Sequence, residues 1–138
     1  MDRVTEVFIL AYSNLDPDSA AHAQRVKEAV GDLSEKYKDI ELIALLHDVV
    51  EDGHYTLDQA VRVFRLSESS AETLDKLTRK PGEVYSEYID RVMTDAMAVE
   101  IKLADLRDNM QRCVNDIDTH WSLLIRYAKA YGKIMKGR

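Results

Sequence analysis

With only one cysteine, two prolines and five glycines in 138 residues, this chain has few of the residues that staple, kink or reverse a backbone. The single cysteine, Cys113, excludes an intrachain disulfide and fits a reducing, cytosolic setting. So little proline and glycine leaves few tight turns, and no stretch shows sustained apolar–polar alternation, so helix is the default expectation and strands are not expected. Long apolar runs are also missing. Val7 to Tyr12, the run near the start, is too short for a signal-peptide core or a membrane span, so no membrane partner is expected. There is no excess of basic residues: 19 Lys and Arg stand against 25 Asp and Glu, a net charge of −6. That balance excludes a general nucleic-acid binder, which needs a basic face. Repeats and low-complexity segments are absent, and the length suits a single domain over residues 1–138.

What is there is a succession of helical stripes. Val4, Val7, Phe8, Leu10 and Ala11 mark a first amphipathic helix. Asn14 to Asp18 is a turn in which Asp16 precedes a proline, and Asp18 or Ser19 is placed to cap a second helix reaching about Tyr37. His22 and Arg25 lie near the start of that helix. Thr56 caps a short helix, and Ser67 to Thr78 forms another. Arg79-Lys80-Pro81-Gly82 then makes a basic loop before a helix over Glu83 to Met93.

The chain is organised around Glu41 to Gly53, ELIALLHDVVEDG. Leu42, Ala44, Leu45, Leu46, Val49 and Val50 make it apolar over most of its surface, the pattern of a buried helix. Into it are set His47, Asp48, Glu51 and Asp52. His47 and Glu51 are four apart, as are Asp48 and Asp52, so each pair shares a side of the helix one turn apart. Gly53 supplies the left-handed residue that ends many helices. Three carboxylates on a buried helix destabilise it unless a cation or hydrogen bonds compensate them, and a divalent metal is the simplest candidate. Taken alone, the same residues also describe a solvated helix end.

A second acidic stretch shifts that balance. Ala96 to Met110, AMAVEIKLADLRDNM, is an apolar helix with Lys102, Asp105 and Asn109 on one face. An exposed lysine–aspartate pair would explain it as well if the first cluster were not there. From Asp118 the chain closes with one helix carrying Arg126, Lys129, Lys133, Lys136 and Arg138, cations that suit a helix C-terminus.

His22, then His47-Asp48, then Asp105 resembles the order and spacing of the HD-domain metal phosphohydrolases. Within them, LLHDVVEDG, LTRKPGEVYSEYIDRV and KLADLRDNM resemble small stand-alone relatives of the RelA/SpoT-type alarmone hydrolases, over roughly residues 20 to 112. The resemblance implies an all-α HD-domain bundle of about six to eight helices. It implies that His22, His47, Asp48 and Asp105 hold one divalent metal, Mn2+ first and Fe2+, Zn2+ or Co2+ otherwise. Glu51 and Asp52 become the catalytic acidic pair, and Lys102 and Asn109 border the substrate. Two imidazoles and two carboxylates suit such ions and leave positions open for water and a phosphate oxygen.

The expected activity is metal-dependent hydrolysis of a nucleotide or related phosphoester, with the 3′-pyrophosphate of (p)ppGpp as the named candidate. A nucleotidase or other phosphomonoesterase on the same scaffold, and a non-catalytic ligand-binding domain, are the alternatives. Two departures bear on substrate. The relatives carry a basic, glycine-containing loop before the first histidine, whereas Leu15 to Ala21 is acidic and lacks glycine, and Asp108 stands where they often have histidine. Cations for a polyanionic substrate must then come from Arg25, Arg79, Lys80 or Lys102.

Overall fold

The computed structural model describes residues 1–138 as eight α-helices with no strand. They are α1 (Arg3–Tyr12), α2 (Pro17–Val30), α3 (Ile40–Glu51), α4 (Leu57–Phe64), α5 (Glu68–Leu77), α6 (Tyr85–Val92), α7 (Ala96–Val114) and α8 (Ile117–Gly137). The chain is therefore the all-α bundle expected. No helix is long and apolar enough to cross a membrane.

The centre of the bundle is α3. Ile40, Leu42, Ile43, Ala44, Leu45, Leu46 and Val49 are all buried, against neighbours on α1, α2, α5 and α7. Each fully buried Leu or Ile contributes about 1.5–3 kcal/mol, enough in sum for this helix to carry a histidine inward with it. The hydroxyl of Tyr12 on α1 donates to the Leu45 carbonyl at 2.5 Å, tying the first helix to the middle of α3. The other long-range scaffold is α7, which packs on α2, α5, α6 and α8. Helices α2, α3 and α7 thus meet one another in the interior, and they carry the chemistry-bearing residues.

Local chemistry explains where the helices differ from expectation. Asp16, rather than Asp18 or Ser19, caps α2: its carboxylate accepts from the Ser19 amide at 2.8 Å, with Pro17 at the first helical position. The second helix ends at Val30 instead of reaching Tyr37. Gly31 and Asp32 are poor helix formers, and the backbone tightens into a 3₁₀ turn over Gly31–Leu33. Asp39 then takes a left-handed conformation (φ 67°) to launch α3, its carboxylate accepting from the Ser70 hydroxyl at 3.2 Å. Thr56 caps α4 as expected, with Gln59 reciprocating to the Thr56 amide at 2.9 Å.

Residue Glu83 lies outside α6, which starts at Tyr85. Glu83 is instead the anchor of the preceding loop: its carbonyl accepts from Arg79, and its carboxylate from the Lys80 amide and from Arg91 at 2.8 Å. Arg91 also reaches the carbonyls of Asp75 and Thr78, both at 2.9 Å. This clamp holds the Arg79–Gly82 loop in one place, with Gly82 at φ 77°. Further on, α7 runs to Val114, one turn beyond Met110, and α8 begins at Ile117 with a departure from helical backbone at His120.

Candidate metal centre

Three helices bring His22, His47, Asp48 and Asp105 together, and one potential ligand atom from each lies within 4.8 Å of the others. His22 comes from the second turn of α2, His47 and Asp48 from the last turns of α3, and Asp105 from the middle of α7. Both imidazoles and Asp105 are buried, whereas Asp48 keeps 30% of its side chain exposed. The Nε2 atoms of the two histidines both face Asp105 Oδ1, at 2.8 Å from His22 and 3.0 Å from His47. Asp48 closes the group, with one carboxylate oxygen 3.3 Å from His22 Nε2 and the other 3.2 Å from His47 Nε2.

The opposite ring nitrogens are also occupied. His47 Nδ1 lies 2.6 Å from the Ala44 carbonyl, one turn back on its own helix. His22 Nδ1 lies 2.6 Å from Asp108 Oδ2. Every nitrogen of both rings therefore faces an oxygen acceptor. A neutral imidazole has one N–H and one lone pair, so with Nδ1 donating outward each Nε2 lone pair would point at carboxylate oxygen. That arrangement needs positive charge between the Nε2 atoms and the carboxylates, supplied by protons or by a metal ion. Two nitrogen and two oxygen donors suit a divalent transition metal, so the residues present fit the ion.

The charge state follows the same logic. Burial alone would push the histidine pKa values down, but contacts with Asp105 and Asp48 outweigh it, lifting His22 to about 10 and His47 to about 9. Burial likewise opposes ionisation of Asp105, yet Lys102 and the two histidines hold it well below the usual carboxylate range. Asp48 is lowered too, against burial, chiefly by His47 and His22.

Lys102 is the notable companion. It is buried with Asp105, its ammonium 2.9 Å from Asp105 Oδ2 and 5.2 Å from the centre of the Tyr88 ring. The sequence alone left open a solvent-exposed i,i+3 pair, and the structure puts both groups inside. With both imidazoles neutral, as metal binding requires, two ligand carboxylates set against one ammonium leave one net negative charge, which a divalent ion would reverse.

Above the four residues opens a pocket of about 330 Å³. Glu51 and Asp52 line it, one turn past His47 and Asp48. Crowding by protein atoms pushes the Glu51 carboxyl up, with Lys102 pulling it back and Asp48 raising it further; Asp52 is raised by burial and then by Asp48. Four cations, Arg79, Lys102, Arg112 and Arg126, line the same pocket, as does Asn109. Tyr85 is flanked by two of these cations, Arg126 at 3.9 Å and Arg79 at 5.3 Å from the ring centre. Its hydroxyl is buried without a protein partner, so an acceptor on a bound molecule would satisfy it.

Of the residues singled out in the sequence, His22, Asp48, Glu51, Asp52, Arg79, Lys102, Asp105 and Asn109 line this pocket, and His47 is buried in the cluster with three of them. Arg25 and Lys80 do not line it. Arg25 bonds Asp108 at 2.7 Å, and Lys80 pairs with Asp75. Arg112, Arg126, Tyr85 and Tyr127 line the pocket without having been marked in the sequence as substrate contacts. Arg126 had one available signal: it sits mid-way along α8, far from the helix end that explains the other cations. Compared with known proteins, the chain matches no family profile and no curated protein.

Proposed function

We propose that this chain is a metal-dependent phosphohydrolase of the HD type acting on a nucleotide or related phosphoester, with (p)ppGpp, cut at its 3′-pyrophosphate, as the first candidate substrate. The observation that carries the reading is the convergence of His22, His47, Asp48 and Asp105 at a pocket lined by both carboxylates and cations. These four would hold one divalent ion, Mn2+ first, with Fe2+, Zn2+ or Co2+ as alternatives. Such an ion, when bound, lowers the pKa of water and neutralises charge building on phosphoryl oxygens.

The chain's own residues supply the rest. Glu51, its carboxyl pushed up by burial, is the base: it takes a proton from water as the oxygen joins phosphorus and the phosphorus–oxygen bond to the leaving group breaks. Asp52, at the end of α3, orients that water with it. Arg112 and Arg126 would hold phosphate oxygens through paired N–H donors, Arg79, whose Nε and Nη2 bond the Glu83 carbonyl, would add its charge, and Asn109 would offer a neutral donor beside Asp105. Lys102 is committed to Asp105, so it balances the ligand carboxylate before it meets substrate. A cytoplasmic setting, proposed with this activity, rests on the one free cysteine, Cys113.

A phosphomonoesterase or nucleotidase is the second reading, and a specific observation favours it. Two of the four cations expected to serve a polyanion, Arg25 and Lys80, are spent on Asp108 and Asp75, and Asp16 and Asp18 occupy the turn before His22. The test is a steady-state comparison of ppGpp with GDP, GMP and an aryl phosphate under equal Mn2+. We expect Mn2+-dependent hydrolysis, with ppGpp cleaved but more weakly than the resemblance implies. Preference for a monophosphate would favour the second reading, and no turnover of any ester would leave a ligand-binding domain.

A further inference from the structure

Helices α2 and α7 interlock through two pairs with the same one-turn spacing. His22 and Arg25 are three apart on α2, and Asp105 and Asp108 are three apart on α7. Each pair presents two side chains along one face. The inner contact is His22 Nε2 with Asp105; the outer ones are His22 Nδ1 with Asp108 Oδ2 at 2.6 Å and Arg25 with both Asp108 oxygens at 2.7 and 3.1 Å. Asp108 is thus held from two sides and is itself only 14% exposed, whereas Arg25 lies at the surface.

The two histidines are held by different kinds of partner. His47 is oriented by a backbone carbonyl of its own helix, an acceptor that is neutral and fixed. His22 is oriented by a carboxylate that arrives from another helix and is aimed by an arginine. A charged acceptor on Nδ1 selects the tautomer whose Nε2 lone pair points into the cluster, and it makes that nitrogen a stronger donor.

We propose that Asp108, aimed by Arg25, is a positioning residue that fixes the His22 ring and tautomer for metal binding. It follows that Arg25 belongs to the metal-binding apparatus and is not a substrate contact. This inference rests on the four-ligand reading of the site, and the test separates the two.

Metal affinity is measured by chelator competition with Mn2+ and Zn2+, with helix content and thermal unfolding of the metal-free protein recorded in parallel. Asp108→Ala should bind about 10- to 100-fold more weakly than the parent, the usual loss when such an outer partner is removed. Asp108→Asn keeps an acceptor oxygen and should recover part of the loss. Arg25→Ala, which leaves the carboxylate but not its clamp, should fall between parent and Asp108→Ala. In the Zn2+-loaded parent, nitrogen-15 NMR should show His22 protonated at Nδ1, with a far-downfield proton that disappears in Asp108→Ala. If a folded Asp108→Ala keeps affinity within about twofold of the parent, well short of that loss, the positioning role is overturned and the four-ligand site stands. A parent that binds no metal overturns both.

Discussion

Replacing Asp105 with alanine is expected to abolish metal binding and, at the same time, to cost the fold about 3–5 kcal/mol, the usual penalty for breaking a buried ion pair. The reason is Lys102. Its ammonium is buried, bonds Asp105 Oδ2 at 2.9 Å and lies against the Tyr88 ring at the edge of the pocket. Without Asp105 it becomes an uncompensated interior charge, and the loss is a large share of the 5–15 kcal/mol by which domains are stable. The two effects can be separated. Lys102→Met removes the stranded charge at similar length, so Asp105→Ala with Lys102→Met should recover most of the stability and none of the metal. Urea unfolding of the single and double variants, alongside metal titration, reads both. Unchanged stability in Asp105→Ala would mean that the ammonium escapes to solvent, contrary to the burial described.

The second large effect is catalytic. Glu51→Gln preserves shape and removes the charge that accepts a proton, so the turnover rate on the best substrate should fall on the order of 10²-fold or more. Metal content should stay that of the parent, because Glu51 is outside the group of four and lies on the pocket wall. Asp52→Asn should lower the rate as well if the two carboxylates act together. An equally active Glu51→Gln, fully loaded with metal, would remove Glu51 from the chemistry.

Much of this architecture is written in local pattern. The continuous apolar surface of Leu42 to Val49 announces a buried helix, and two pairs at four-residue spacing place ligand-type groups at its end. KLAD sets a carboxylate on a second apolar helix, and a resemblance in motif order joins it to the first. What local pattern does not carry is which walls face each other across space. Arg126 and Tyr127 reach the pocket because α8 folds back along α7, a contact between helices that no spacing within either one encodes, whereas Arg112 lies on α7 itself, on the face of Asp105 and Asn109. Basic residues near a chain's last helix have a ready explanation in the helix dipole, so Arg126 is hidden among them. The depth of Lys102 was hidden for a related reason: an i,i+3 pair has the same spacing whether it is in solvent or buried under Tyr88. Asp108 is visible in the sequence only as a departure from the motif that the chain otherwise resembles. Its work on His22 depends on α2 and α7 meeting with their one-turn pairs in register.

The central claim is that four side chains on three helices make one metal site. It is tested most directly by counting metal at equilibrium in the parent and in His47→Ala, using dialysis against Mn2+ or Zn2+ at a series of pH values. The parent should take up about one ion per chain, as four donors of this kind imply. Because both histidines carry protons at neutral pH in the metal-free protein, with values near 10 and 9, uptake must displace them. Affinity should therefore tighten as pH rises from about 6 towards 9 and weaken on acidification. His47→Ala should take up none. One ion per chain in His47→Ala, or no ion in the parent at any pH in that range, would contradict the account.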